Sequence, residues 1–210
     1  LTYAVTASFV PTDSANYNTL TLQPAGNFVI NKATPTATLA VSNSPATYSG
    51  SAQSATVSIS ASSVPGTVSS ILTGGSATQT AAGTYGVTAS FVPTDTTNYN
   101  TLTSLSAGNF VINKAATTTV VTINGGPFTY TGLPQTPATV TVIGAGGLSL
   151  TPTAAYTNNT NTGTATASYT YAGDSNYESS SDSKDFTINK VSLTITADNQ
   201  SVFYGTAVAS

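Results

Sequence analysis

The 210 residues carry four Lys, no Arg and seven Asp or Glu, for a net charge of −3, and contain no His, Cys, Met or Trp. This excludes disulfide staples and thiolate or imidazole metal sites, and argues against nucleic acid, whose binding needs Lys and Arg to neutralise phosphates. No apolar run nears the roughly 18 residues of a membrane span, while 11 Tyr and 7 Phe among many Val, Ile and Thr give strand composition rather than disorder.

Taken in chain order, residues 2–9 alternate, with Tyr3, Val5, Ala7 and Phe9 on one face and hydroxyl side chains on the other. That is the period of a half-buried strand. A closing strand follows at Phe28 and Ile30, and further strands are expected over 36–41, 55–61 and 67–72. The alternating pattern returns at Tyr85, Val87, Ala89 and Phe91, and closes again at Phe110 and Ile112. Strands over 117–123, 139–143 and 148–156 come next, then Ala165, Ala167, Tyr169 and Tyr171, then Phe186 and Ile188. Gly-Gly pairs at 74–75, 125–126 and 146–147, with Pro45, Pro65, Pro127, Pro134 and Pro152, punctuate them. No stretch has a helical period. The expected class is all-β, as small two-sheet sandwiches of about six to seven strands each.

The chain repeats itself, which sets its organisation. Residues 2–33 reappear as 84–115 at a constant shift of 82, and Thr47 to Gln53 reappears as Thr129 to Gln135 at the same shift. A diverged copy runs from Thr164 to Lys190, where Asn98-Tyr99 maps to Asn176-Tyr177 and Lys114 to Lys190. Unit boundaries therefore fall after Asn-Lys: the back portion of a repeat at 1–32, whole repeats at 33–114 and 115–190, and the start of another at 191–210. The expectation is a piece of a longer tandem array. Units of about 80 residues are marginal alone, so neighbouring repeats of the same chain are the expected partners. The junctions lack Gly/Ser tracts, so limited bending is expected.

Several spaced landmarks carry a family resemblance. They are Tyr48-x-Gly50-x-x-Gln53, Gly83-Thr-Tyr-x-Val-Thr-Ala-x-Phe91, Asn98-Tyr-Asn100 and Phe110-x-Ile-Asn-Lys-Ala115. Together they resemble bacterial immunoglobulin-like repeats of the MBG type. The tail from Leu193 to Gly205 is similar to the opening of the related YGX-type MBG repeat. Repeat 115–190 departs from the pattern, with Gly163-Thr164-Ala165 in place of Gly-Thr-Tyr. The resemblance implies tandem immunoglobulin-like β-sandwich repeats in large bacterial cell-surface or secreted, adhesin-like proteins, with no catalytic residues. The implied role is a structural spacer projecting a binding domain. The alternative is a repeat that itself binds glycan or a host surface weakly and multivalently.

Chemistry has little to work with. Without His or Cys the usual bases, nucleophile partners and zinc ligands are missing, and Ser183 and Lys184, adjacent on a strand, face opposite ways. No enzyme and no cofactor is expected, calcium being the one exception left open. Counting Asp174 as 1, Asp174, Asn176, Glu178, Asp182 and Asp185 fall at positions 1, 3, 5, 9 and 12, the spacing of a calcium loop. Against it, position 6 is Ser179 rather than Gly and position 12 is Asp rather than Glu; the plain reading is a solvated loop. Lys32, Lys114 and Lys190, each after an Asn, raise an isopeptide crosslink, which needs a buried Lys where burial is not expected. Tyr17, Tyr48, Tyr99, Tyr130 and Tyr177 recur at landmarks and read as structural, with hydroxyls bonded to loop backbone. Tyr156 and Phe128, which do not recur, are the glycan-stacking candidates, weighed against packing.

Overall fold

The computed structural model describes residues 1–199, 201 and 203–205. It is all-β: fifteen strands and one 3-10 turn, Ala145–Gly147, form its regular structure among the described residues. Two compact units result, one of Leu1–Ala115 with Asp174–Tyr177, the other of Ala116–Gly173 with the described residues from Glu178 on. Among the described residues no helix is long and apolar enough to cross a membrane.

The first unit opens with a hairpin of β1 (Thr2–Phe9) and β2 (Leu20–Val29), antiparallel with Tyr3 opposite Phe28 and hydrogen-bonded to no other described strand. Next come β3 (Ala37–Val41), β4 (Ala46–Thr47), β5 (Val57–Ser62), β6 (Gly66–Thr73), β7 (Gly83–Pro93) and β8 (Leu102–Asn113). β3 and β5 pair as one sheet, and β4, β8, β7 and β6 lie in that order in another. Strand alternation decides what meets between them. Leu39 and Val57 come from the first sheet, and Val87, Ala89, Phe110 and Ile112 from the second, to form one buried cluster. The residues that alternate with them are less buried: Thr88 and Val111 are half-buried, and Thr38 and Ser58 are exposed.

The second unit follows the same plan with β9 (Thr117–Ile123), β10 (Phe128–Thr129), β11 (Ala138–Gly144), β12 (Leu148–Leu150), β13 (Ala155–Thr157), β14 (Gly163–Tyr171) and β15 (Ser180–Asn189). One sheet orders as β12, β11, β9 and the other as β10, β15, β14, β13. Val121 and Val140 meet Ala165, Ala167, Phe186 and Ile188 in its core.

The single strand expected over 148–156 is two strands. β12 pairs with β11 and β13 with β14, in different sheets. Pro152 lies between them and has no amide to donate to a ladder, so the chain changes sheets there. Two short strands have no counterpart in the alternation. β4 runs parallel to the end of β8, with Ala46 beside Ile112 and Thr47 beside Asn113. β10 runs parallel to the end of β15, with Phe128 beside Ile188 and Thr129 beside Asn189.

Candidate functional site

Recurring residues gather around an aspartate-capped turn late in the repeat, and in 33–114 and 115–190 this turn meets the segment where the repeat begins. In the turn after β7, Asp95 Oδ1 accepts from the amides of Thr97 and Asn98, each at 3.1 Å, and Oδ2 accepts from the Asn98 side chain at 2.8 Å. Asp13 builds the same turn with Asn16 after β1. These are Asx turns, in which a short carboxylate substitutes for backbone acceptors. The Asn98 side-chain bond comes first among the causes that hold the Asp95 carboxyl below its usual range, with the Lys32 charge adding the least.

This turn also holds the incoming chain. The Ala33 amide donates to the Asn98 carbonyl at 2.8 Å, and the Asn100 amide donates to the Ala33 carbonyl at 2.9 Å. Lys32 Nζ donates to the Thr96 carbonyl at 2.6 Å, and the Asn100 side chain to Thr34 Oγ1 at 3.1 Å. Ala33 thus bridges Tyr99 in parallel, and Ala115 bridges Tyr177 the same way.

The third turn is one residue shorter between Asp and Asn, and this redirects the asparagine. Asp174 Oδ1 accepts from the amides of Asn176 at 2.7 Å and Tyr177 at 3.0 Å. Asn176 Oδ1 instead accepts from the Ala82 amide at 2.9 Å, and its carbonyl accepts from Ala115. The Tyr177 ring meets Tyr48 edge-on at 5.2 Å between centroids.

Four of the five residues spaced like a calcium loop use their side chains in other bonds, and the fifth, Glu178, accepts through its backbone carbonyl. Asp174 caps its turn, and Asn176 holds Ala82. The Glu178 carbonyl accepts from Thr117 Oγ1 at 3.0 Å. Asp182 Oδ2 accepts from the Val121 amide at 2.8 Å and its Oδ1 from Ser183, with Lys184 at 3.7 Å. Asp185 Oδ1 accepts from Thr166 Oγ1 at 2.7 Å. Asp182 and Asp185 both lie on extended β15, three residues apart, so they project to opposite faces. A calcium loop needs its ligands wrapped round one point. Among the described residues no three His, Cys, Asp or Glu are grouped to hold a metal.

Asp182 has a structural task. β9 is the outer strand of its sheet, and the Asp182 carboxylate satisfies the Val121 amide on that edge. The Val121 bond leads the causes that depress the Asp182 pKa, ahead of Ser183 and Lys184.

Phe128 and Tyr156 both pack edge-on against Phe186, at 5.3 and 6.3 Å between centroids. The Ala138 amide donates to the Tyr156 hydroxyl at 2.8 Å. Both aromatics belong to the edge of the second core. Tyr85, outside the five landmark tyrosines for which a hydroxyl-to-backbone bond is expected, donates its hydroxyl to the Ala81 carbonyl at 2.8 Å. Lys32, Lys114 and Lys190 are all exposed, without the burial an isopeptide crosslink requires. The Ala33 and Ala115 bridges are not foreseen from the sequence, although Lys-Ala and Asn-Tyr are both visible there as recurring landmarks. No family model, no curated protein and no solved structure matches the chain.

Proposed function

We propose that the chain is tension-bearing spacer from a bacterial cell-surface or secreted adhesin-like protein, built of MBG-type repeats that hold a binding domain away from the surface. The observation that carries this reading is parallel pairing where each repeat begins and ends. Ala33 bridges Tyr99, and β4 runs parallel to the end of β8; Ala115 bridges Tyr177, and β10 runs parallel to the end of β15.

Tension along the chain pulls the start of a repeat one way and its end the other. Parallel strands loaded so are sheared, and their hydrogen bonds must break together. Antiparallel neighbours pulled from the same end unzip, losing their bonds in succession. The sheared bonds include Ala33 to Asn98 and Tyr48 to Asn113, both at 2.8 Å, with Tyr130 to Asn189 at 2.9 Å in the other repeat. Rupture under force is governed by the unfolding barrier rather than by equilibrium stability, so such bonds suit a spacer.

Stretching single molecules of the full chain tests this. Ala33→Pro removes the amide that donates to Asn98 and is expected to lower the rupture force of its repeat. Val57→Ala, which weakens the core but spares the clamp, is expected to lower it less. An unchanged force for Ala33→Pro would contradict the proposal.

A further inference from the structure

Three chain segments meet at one end of the sheet β4, β8, β7 and β6. β4 runs parallel to the end of β8, and β7 begins opposite that end, with Gly83 paired to Ile112. Tyr48 follows β4, Ala82 precedes β7 and Ala115 lies just beyond β8, so all three are placed at the same end. Ala115 is buried and Ala82 half-buried. Main-chain amides in such positions are costly to leave without an acceptor.

Asn176 supplies both acceptors. Its Oδ1 accepts from the Ala82 amide and its main-chain carbonyl from the Ala115 amide, each at 2.9 Å. Beside it Tyr177, only 7% exposed, sets its ring edge-on against Tyr48, which packs in turn on the core that holds Leu39 and Phe110. Asp174–Tyr177 accordingly belong to the first compact unit, although β14 and β15 on either side of them belong to the second. The stem of the turn is fixed in that second unit. Tyr171 pairs with Ser180, and Thr117 Oγ1 donates to the Glu178 carbonyl at 3.0 Å.

We propose that the unit of stability is offset from the unit of sequence: repeat 33–114 is completed by the turn 174–177 of the following repeat, and this turn couples the unfolding of the two. When 33–114 opens, the turn loses Ala82 and Tyr48. When the turn is released, the Ala82 and Ala115 amides lose their acceptors and Tyr48 loses its ring partner. A coupling of this kind acts equally in both directions, so each repeat is less stable once its neighbour has unfolded. The inference does not rest on the spacer reading, since it concerns only which residues finish one end of a sheet.

Hydrogen exchange of the full chain tests it, read at the amides of β7 and β8. Tyr177→Ala is expected to quicken their exchange about tenfold, although the substitution lies outside 33–114. Val140→Ala weakens the second core without touching the turn and is expected to leave the same amides unchanged. Asn176→Ala, a milder change that keeps the Tyr177 ring, is expected to quicken them several-fold and serves if Tyr177→Ala disrupts the second unit. Tyr48→Ala and Tyr177→Ala combined are expected to act by less than the product of their separate effects, because they remove one shared contact. Unaltered β7 and β8 exchange in both turn variants overturns the proposal, since the turn would then rest on the first unit without completing it. An equal rise with Val140→Ala, or fully independent effects of the two tyrosines, overturns it as well.

Discussion

Gly66 lies beneath the ring of Phe91. A Cβ there would come within 2.5 Å of Phe91 Cζ and 2.6 Å of the Val92 carbonyl oxygen. Phe91 is fully buried and has no room to withdraw. Gly66→Ala is therefore an overpacking change, expected to cost about 1–3 kcal/mol, read as a lower denaturant midpoint for the unfolding of residues 33–113. Asp182 makes the stability of the other repeat depend on acid. Its hydrogen bonds from Val121 and Ser183, with Lys184 beside it, place its folded pKa below the usual 3.8. Its contribution is therefore complete above the unfolded value and is lost as pH falls through the folded one. Asp182→Ala is expected to flatten the decline of melting temperature below about pH 4 without abolishing it, because Asp13 and Asp95 are depressed in the same direction. An unaltered acid profile would show that the Val121 bond is not maintained in solution.

Among the elements, the turn at 174–177 shows how one residue fewer changes a connection. Asn98 is tied to Asp95, whereas Asn176 reaches the Ala82 amide. Asn176→Ala leaves that half-buried amide without its acceptor, at an expected cost of about 0.5–1.5 kcal/mol. Exchange of the Ala82 amide should quicken, and an unchanged rate would rule the bond out. The long strands are legible in the sequence because period two exposes their two faces, as Val87, Ala89 and Phe91 show. β4 and β10, at two residues each, are too short for any period. Their places follow instead from tertiary pairing with β8 and β15. Residues 148–156 read as one strand because apolar residues flank Pro152, yet the missing amide marks the break. The acidic spacing counts residues along a coiled loop, whereas β15 is extended through Asp182 and Asp185. The landmark Asn-Tyr and Lys-Ala pairs are visible, but which of them meet depends on chain reversal across more than 60 positions, beyond the reach of local pattern.

Over the whole molecule, the parallel pairings survive a change of residues. Ala46 in one repeat is replaced by Phe128 in the other, and each lies beside an isoleucine, Ile112 or Ile188. The all-β class and the repeat unit follow from alternation and self-similarity, whereas the mechanical reading needs the register of the strands. The absence of Cys lets introduced thiols serve as handles, so the direction of pull can be chosen. The decisive measurement is the rupture force of residues 33–113 in the full chain, pulled first through the chain ends and then through Thr84→Cys and Asn113→Cys. The second pair loads β7 and β8 at the same end of the sheet, next to the Gly83–Ile112 pairing, and peels them apart. Pulled through its ends, the repeat is expected to release on the order of 25 nm, at about 3.3–3.6 Å per residue, and to need a markedly higher force than when peeled. Equal forces in the two directions would contradict the proposal that this chain is built to bear tension.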